Sequence, residues 1–573
     1  MIEMRRRSIK GAAAAMLSVL LCVVLQARTG NIEASTAASS IFQTPADQTA
    51  RPSKPQPPRV ILDAAAVASS GRTTRVGSAS NLQQALDGAR PGDVIELESG
   101  ASFTGNFTLS NKDEKDQASS RVSPANNVGA GAEARPSSSN WITIRSSAPE
   151  KIAAGDTRVS PKAAGLMAKL VTANGDSVLR AKPAAHHYRF IGVEFTMAPS
   201  VKSVGNLIKL GEGSETDPAA LPHDIIFDRC YIHGSASQTL RRGIALNSAS
   251  TSIINSYISD VHEAGADSQA ICGWNGPGPF KIVNNYLEAA GENVMFGGAD
   301  PSIKGLVSSD IEFKKNHCFK PLSWKKGDPG YGGAAWSIKN LFELKNAQRV
   351  VIDGNIFENN WVDAQTGYAI LLKCQNQDGG AEWSVTQDVS FTNNIVRHAS
   401  SAMNLLGRDP YHPSGRMQRI SIRNNLFDDI GGAAWGGEGV FLKITDCIDT
   451  TIDHNTIHQT GNIITAYGEP STRVRFSSNI VQHNQYGIKG DGAASGEGTL
   501  SKYFPGGVFQ HNALIGAPRA QYPRDNLFID ASQGRAGDYK SDNAADVGCD
   551  LKALQAAGIS ASEAEQAMRK GTR

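Results

Sequence analysis

Apolar and polar residues alternate in short runs along most of this chain, and each run contains an asparagine between two apolar pairs. In the segment QRVVIDGNIFENNW, Val350 and Ile352 alternate with polar residues. Asn355 follows at a polar break, and Ile356 and Phe357 form the second apolar pair. A spacing of two predicts β-strands, and it excludes a solenoid of helices, whose apolar residues recur every 3.6 positions or so.

The same frame recurs through the chain and can be aligned on its asparagine. The aligned positions are Asn285, Asn316, Asn355, Asn394, Asn425, Asn455, Asn479 and Asn512. The steps between them are 31, 39, 39, 31, 30, 24 and 33 residues, so one coil takes roughly two dozen residues and the surplus forms loops. A propeller would need regularly spaced hairpin turns, which the chain lacks. The pattern therefore predicts an all-β, right-handed parallel β-helix (a solenoid), with asparagine side chains hydrogen-bonding along its axis.

The two ends of the chain differ from the repeats. Residues 1–27 combine four basic residues with an apolar run, which is typical of a signal peptide. That run has about 15 residues where a bilayer span needs about 20. We therefore expect no membrane span and a secreted or periplasmic location. Residues 28–75 are rich in Ala, Ser, Pro and Gln, and this composition predicts a disordered linker.

Regular structure is expected from residue 76 onward. Leu82, Leu86 and Ala89 share one face of a predicted helix, which would cap the first coil. The β-helix domain is predicted over 76–535, interrupted by a low-complexity loop at 112–139. Residues 536–573 lose the repeat and form a C-terminal tail that either frays or adds a short capping helix.

Charge and cysteine content exclude some functions. Removal of residues 1–27 leaves 53 basic and 54 acidic residues, a balance of −1 that argues against nucleic acid as the partner. Six cysteines remain without any CxxC pair, which disfavours a zinc site. We expect a monomer.

The entry segment LQQALDGARPGDVIEL and the repeated xIxxNxI/F rungs resemble those of the pectin-lyase-like superfamily, over residues 76–530 or so. The resemblance implies a secreted parallel β-helix. Most characterised members act on acidic polysaccharides such as pectin, alginate or glycosaminoglycans. An acidic polymer that contains uronate is therefore the implied partner.

Several polar residues are predicted on the outside of one row of strands. In KNLFELKNAQ, inward Phe342 and Leu344 leave Glu343 and Lys345 facing solvent. The same phase predicts outward positions for three further residues, Asn293, Lys373 and Asn404. Because adjacent coils lie about 4.8 Å apart, these five residues should line one exposed strip. Such a strip suits an extended polymer, although exposed Glu and Lys on strands are more often merely solvated.

The segment FELKN followed by VVIDGN resembles a strand of the chondroitinase B and alginate lyase group. In that group a lysine two residues after a glutamate is the base in β-elimination. The resemblance implies that Lys345 is the base and that Glu343 binds calcium or acts beside the substrate carboxylate. The group's acid is an arginine one coil later, where this chain has Lys373. Arg408 is the remaining catalytic candidate.

A glycine-rich stretch over 262–300 adds further carboxylates. Glu263, Glu292 and Asp300 join Glu343 as candidate ligands, and oxygen ligands without cysteine suit calcium. Alternatively, the Gly, Asn and Asp residues of this stretch only shape corners between coils. Trp324 and Trp361 lie in long loops, where they either stack on sugar rings or pack the loop against the coil.

Three functions stay open on this evidence. The first is a lyase that cleaves a uronate-containing polysaccharide by β-elimination. The second is a glycoside hydrolase on the same scaffold, which needs two carboxyls at a defined separation. The third is a non-catalytic carbohydrate-binding or cell-surface protein.

Overall fold

The computed structural model describes residues 52–65, 68–112, 141–533 and 547–563. The predicted signal peptide lies outside the described residues, as does the predicted loop 112–139 apart from its first residue. Of the predicted linker, residues 52–65 and 68–75 are described. No helix in the described ranges is long and apolar enough to cross a membrane.

Three long parallel sheets account for nearly all the strands in the described part of the chain. Sheet A consists of Thr73–Val76, Val94–Leu97, Ile142–Ser146, His186–Ile191, His223–Asp228, Ala249–Ile254, Gly278–Val283, Ser308–Lys314, Ala347–Asp353, Thr386–Thr392, Gln418–Arg423, Ile448–Asp453, Thr472–Ser477 and Val508–Gln510. Sheet B consists of Ser102–Thr104, Ala168–Thr172, Val193–Met197, Tyr231–His233, Tyr257–Val261, Tyr286–Ala289, His317–Phe319, Ile356–Asn360, Ile395–Ala399, Leu426–Ile430, Thr456–Gln459, Ile480–Gln482, Ala513–Ile515 and Leu527–Ile529. Sheet C consists of Phe107–Leu109, Leu179–Ala181, Ser203–Leu210, Thr239–Leu246, Gln269–Gly273, Glu292–Phe296, Phe342–Leu344, Tyr368–Lys373, Ser401–Leu406, Leu442–Thr445, Ile464–Ala466 and Ile488–Gly490.

Each full coil between Val94–Leu97 and Ile488–Gly490 contributes one strand to sheet A, one to sheet B and one to sheet C, in that order. One coil, for example, runs through Ala347–Asp353, Ile356–Asn360 and Tyr368–Lys373. Each strand pairs in parallel with its equivalent one coil away, as Val350 does with Val389. The architecture is a right-handed parallel β-helix, so the predicted fold is confirmed.

The core lies inside the coils and is built from equivalent side chains stacked along the axis. Phe357 stacks on Phe391 at 5.7 Å between ring centroids, and Phe391 stacks on Phe427 at 6.4 Å. Cys230 and Cys318 are fully buried and unpaired within this core. Alternate residues of the strands therefore point outward, where polar side chains are available for binding or catalysis.

A ladder of asparagines runs along the corner between sheets A and B, as the repeat predicted. The Oδ1 atom of Asn394, for example, accepts hydrogen bonds from the backbone N–H and the side-chain amide of Asn355, both at 2.9 Å. The ladder continues to Asn526, one position beyond the predicted series. The left-handed backbone conformation lies at the residue before the ladder asparagine, as at Asn393 and Asn424. The ladder position suits asparagine because its side-chain amide carries both a hydrogen-bond donor and an acceptor.

Short helices lie at both ends of the solenoid. Helix α1, Leu82–Gly88, buries Leu82 and Leu86 against the first coil, and the predicted capping helix is confirmed. Helices α2 and α3 span Pro149–Ile152 and Glu497–Tyr503. Helix α4, Leu551–Ala556, lies in the predicted tail and packs Leu554 onto the outside of sheet B.

Residues 52–65 are extended and cross the outer face of sheet A, where the composition predicted a disordered linker. The backbone N–H of Gln56 donates to Asp388 at 2.9 Å, and that of Arg59 donates to Asp310 at 2.8 Å. Regularly spaced carboxylates on the coils therefore order this part of the predicted linker, although it cannot form a core of its own.

Candidate active site on the outer face of sheet C

Glu343 lies at the middle of sheet C and points outward. Its neighbours Phe342 and Leu344 belong to the core, so the alternation of the strand places Glu343 on the outer face. Its register partners are Met295 on one side and Leu371 on the other. Lys345 and Lys373 follow two residues after Glu343 and Leu371, so two neighbouring coils bring both lysines beside Glu343.

The outer face is enclosed here rather than open. The Glu343 side chain is 0% exposed, and those of Lys345 and Lys373 are 14% and 18% exposed. The prediction that Glu343 faces solvent is therefore wrong, because Lys345, Lys373 and Asn340, in the loop before the strand, surround its carboxylate. A charged residue buried in this way needs compensating partners.

The two lysines approach the same carboxylate oxygen. Glu343 Oε1 lies 3.1 Å from Lys373 Nζ and 3.9 Å from Lys345 Nζ. Asn340 Nδ2 donates to Glu343 Oε2 at 3.1 Å. Burial raises the pKa of Glu343, but the charges of Lys373 and Lys345 and the Asn340 hydrogen bond outweigh it, so this pKa lies below its ordinary value. Glu343 is therefore a carboxylate at neutral pH.

Glu292 lies one coil before Glu343, and its pKa is shifted in the opposite direction. It is fully buried and accepts a hydrogen bond from Gln269 Nε2 at 2.7 Å, while Lys339 Nζ lies 3.8 Å away. Lys339 is drawn away by a close ion pair with Asp267. Burial first, and then the negative charges of Glu343 and Asp267, raise the pKa of Glu292. The site therefore holds two carboxyl groups whose proton affinities are driven apart.

Several buried oxygen acceptors on or beside sheet C have no hydrogen-bond donor among the described residues. These buried atoms are Gln269 Oε1, Glu292 Oε1, Asn340 Oδ1 and Asn404 Oδ1. Buried acceptors that lack donors are costly unless a ligand or water supplies the hydrogen. A sugar, which carries many hydroxyl donors, would satisfy such a row.

The four predicted calcium ligands are not brought together. Asp300 accepts backbone hydrogen bonds from Asp378 and Gly380 at 3.1 and 2.8 Å, and it shapes that loop. Glu263 lies 3.9 Å from Arg241. Within the described ranges, no group of three or more His, Cys, Asp or Glu residues is arranged to hold a metal. Lysines compensate Glu292 and Glu343 instead, so the residues present do not fit a calcium centre.

Asn293 does not lie on the strip with Glu343. It is fully buried at the corner that leads into sheet C, and its Nδ2 donates to the carbonyls of Leu287 and Phe319. Its Oδ1 accepts from Lys320, which also donates to the Ala289, Ala290 and Gly291 carbonyls. The alternation of the strand does not hold at this corner, so the strand phase predicted the wrong face for Asn293. The Asn293 and Lys320 pair supports the turn that positions Glu292.

The other candidates occupy varied positions. Asn404 lies in the row of Glu343, two coils further along, as the phase predicted. Trp324 and Trp361 are 7% and 5% exposed and pack with Trp435 under the loops, rather than offering open ring faces. Arg408 is 56% exposed at its side chain and lies 3.4 Å from Asp446, beyond the end of its strand.

The sequence reasoning missed Lys339 and Asn340, which immediately precede the Phe342–Leu344 strand. The loop before the strand folds back and places Asn340 on Glu343 and Lys339 near Glu292. The available signal was their adjacency to the FELK segment. A third missed residue is Tyr368, whose hydroxyl donates to Glu438 at 3.2 Å beside Leu371.

No protein-family model matches this chain, and no curated protein matches it. Among solved structures, the PL6 family alginate lyase AlyGC is similar with a TM-score of 0.40 and 12% identity, over 80% of this chain and 53% of that one. A second PL6 alginate lyase, in complex with a trisaccharide, has a TM-score of 0.42 and 11% identity, over 87% and 96%. The catalytic unit of a GH87 α-1,3-glucanase from Streptomyces thermodiastaticus has a TM-score of 0.47 and 10% identity, over 80% and 71%.

The chain thus spans about half the length of AlyGC, 53% of it. At these identities the likeness concerns the fold alone. All three TM-scores are below 0.5, so the parallel β-helix architecture rests on the three parallel sheets of this chain itself.

Proposed function

We propose that this protein is a polysaccharide lyase that cleaves a uronate-containing polymer by β-elimination in the sheet C groove. The observation that carries the proposal is the buried Glu343 carboxylate, 0% exposed, with two lysine amines of neighbouring coils against one oxygen. Burying a carboxylate between two lysine side chains costs folding stability, and ionisable groups whose pKa is perturbed in this way identify candidate functional sites.

In the proposed reaction Lys345 is the base. Lys345 takes the proton from the carbon that bears the uronate carboxylate, and the electron pair of that C–H bond becomes a C=C double bond. The bond from the adjacent carbon to the glycosidic oxygen breaks, and that oxygen leaves with its electron pair and takes up a proton from water or from Lys345, which gained one in the first step. Lys373, held by Glu343 at 3.1 Å, supplies positive charge where negative charge develops.

Binding rests on buried hydrogen-bond acceptors on the outer face of sheet C. Asn340 Oδ1 and Asn404 Oδ1 lack donors among the described residues. Asn340 is hydrogen-bonded to Glu343, and Asn404 lies in the row of Glu343, two coils further along. They would accept hydrogen bonds from sugar hydroxyls and hold the polymer along the coils. In this proposal the protein acts outside the cytoplasm, as a monomer, on an acidic polymer. Its lysines, rather than calcium, neutralise the substrate carboxylate.

Glycoside hydrolysis is the second candidate, because one specific observation favours it. A hydrolase needs one protonated and one ionised carboxyl group, and here the pKa of Glu292 is raised while that of Glu343 is lowered. Glu292 would then protonate the leaving oxygen, and Glu343 would act as base or nucleophile.

One assay separates these reactions. Alginate, pectate and chondroitin are each incubated with the protein, and both new reducing ends and the ultraviolet absorbance of unsaturated uronate are followed. A lyase produces both signals, and Lys345→Met abolishes them while Glu292→Gln retains activity. A hydrolase produces reducing ends alone, and Glu292→Gln abolishes them. Lys489→Met, further along the same outer row as Glu343, is the matched control. Lyase products that persist undiminished in Lys345→Met would remove the proposed base.

A further inference from the structure

The segment PSKPQPPR, residues 52–59, makes a regular set of contacts with the outer face of sheet A. Its backbone N–H groups donate to aspartates at every third residue: Ser53 to Asp449 at 3.1 Å, Gln56 to Asp388 at 2.9 Å and Arg59 to Asp310 at 2.8 Å. Successive contacts skip one coil, because the aspartates lie on every second strand of sheet A. The segment therefore runs along the solenoid axis, from late coils towards early ones.

The aspartates belong to a row in which acidic and basic residues alternate. The row consists of the equivalent residue of six successive coils: Asp310, Arg349, Asp388, Arg419, Asp449 and Arg473. All six have a left-handed backbone conformation, with φ between 52° and 61°. Each arginine binds the preceding aspartate through two hydrogen bonds; for Arg419 and Asp388 these are 2.6 and 2.8 Å long. The arginines thus fix the aspartates at a spacing of two coils.

This spacing matches the pitch of a polyproline II helix. Two coils of a parallel β-helix advance about 9.6 Å, since neighbouring strands lie about 4.8 Å apart. One turn of polyproline II takes three residues and advances about 9.3 Å. The two repeats therefore stay in register over the three contacts, and a β-strand, which rises about 3.3 Å per residue with a period of two, would present its N–H groups differently.

The prolines follow the same period of three. Pro52, Pro55 and Pro58 are half-buried against the coils, whereas the side chains between them are exposed. Each buried proline immediately precedes a residue whose N–H reaches an aspartate. The pattern is therefore a P-x-x-P-x-x-P segment in which the position after each of these prolines must retain its N–H, because proline has none.

We propose that the outer face of sheet A is a binding track for a polyproline II peptide, and that residues 52–59 are its ligand, bound within the same chain. The aspartate row recognises N–H groups three residues apart, and the surface between the coils accepts the prolines. Pro-rich segments suit such recognition because they are already close to the bound conformation. This track lies on a different sheet from the Glu343 site, so it does not depend on the proposed lyase reaction.

A matched pair of substitutions in the full chain tests the frame of three. Gln56→Pro removes the N–H that reaches Asp388, while Lys54→Pro adds the same residue type at a position outside the frame. We expect hydrogen exchange at the Ser53 and Arg59 amides to be protected in the wild type and in Lys54→Pro. In Gln56→Pro it should accelerate about tenfold, as one hydrogen bond to a charged group predicts. Equal effects of the two substitutions, or unprotected wild-type amides, would overturn the proposal.

A peptide added in trans tests whether the track is a binding site. The full chain carrying Ser53→Pro, Gln56→Pro and Arg59→Pro has a weakened internal ligand. We expect a labelled peptide of residues 52–63 to bind this variant at least tenfold more tightly than the wild type, by fluorescence anisotropy. The same peptide with proline at positions 53, 56 and 59 should not bind. Failure to bind the variant, or equal binding of both peptides, would contradict a frame-specific track.

Discussion

The outer faces of sheets A and C both bury charge, but they do so in different ways. On sheet A, aspartate and arginine alternate at one repeated position, and every arginine binds the aspartate one coil earlier, as Arg349 binds Asp310 at 2.7 and 3.0 Å. On sheet C, Glu343 has no charged partner in its own row, where Met295 and Leu371 flank it. Its cations come from a second row. Charged residues that recur at one position in successive coils stabilise the solenoid. A charged residue flanked by apolar residues in its row, like Glu343, indicates a functional site.

The largest expected effect comes from Glu343→Gln, which keeps the shape but removes the charge between Lys345 and Lys373. We expect activity on the polymer to fall by about 100-fold, because the groove loses the group that holds its cations. The free energy of unfolding should fall by about 3 kcal/mol, because two poorly exposed ammonium groups lose their carboxylate. Activity assays and chemical denaturation measure the two effects. Unchanged activity together with unchanged stability would show that Glu343 is not the centre of the site.

Sheet B carries a buried carboxyl with neutral hydrogen-bond partners, which sharpens the comparison through pH. Glu288 accepts hydrogen bonds from Asp260 N–H and Tyr286 O–H, both at 3.0 Å, and burial raises its pKa to about 7. Because this pKa exceeds that of the unfolded chain, its stabilising contribution is complete below about pH 4.5 and is lost as pH rises through 7.

The free energy of unfolding of Glu288→Gln should therefore increase relative to that of the wild type as pH rises, because glutamine cannot ionise. We expect a relative gain of about 3 kcal/mol between pH 5 and pH 8, by thermal or chemical unfolding at each pH. A difference between the two proteins that does not change with pH would show that Glu288 is not ionising in this range.

The smallest effect is expected from Asp388→Asn on sheet A. The amide oxygen can still accept one hydrogen bond, but it loses its charge opposite Arg419 and Gln56 N–H. Stability should fall by about 1 kcal/mol, and activity on the polymer should not change. This variant is also the matched control for Glu343→Gln, since both convert a buried carboxylate to an amide. A loss of activity in Asp388→Asn would blur the distinction between the two faces.

The fold was predictable because its signal repeats. Inward apolar residues and one asparagine per coil are enough to specify parallel strands, and the ladder through Asn355 and Asn394 forms as expected. The position of the left-handed residue was less predictable. Gly354 and Asn393 adopt it one residue before the ladder asparagine, and many residue types occupy that position in other coils.

The candidate site was predictable only in part. Strand phase placed Glu343, Lys345 and Lys373 together, because all three lie in or next to regular strands. The phase failed at Asn293, where a corner breaks the alternation. The burial of Glu343 was not predictable from strand phase either, because part of it comes from Asn340, in the loop that immediately precedes the Phe342–Leu344 strand.

The sheet A track was missed, although the sequence contains its signal. Aspartate and arginine alternate just before the inward residues of successive repeats, from Asp310 and Arg349 to Asp449 and Arg473. Proline recurs every third residue over 52–58. Composition alone describes such a proline-rich segment as a linker, because it cannot bury a core. Only the match between its pitch and the coil spacing reveals a binding surface.

One contact of this track bears on the order of assembly. The amide of Ser53 meets a carboxylate 396 residues later in the chain, at Asp449. A chain that emerges from the ribosome with its early residues first must therefore wait for the coil around Asp449 before this contact can form. Residues 52–59 can dock fully only after the late coils have folded. Their protection from a protease should therefore be among the last features that a newly made molecule acquires.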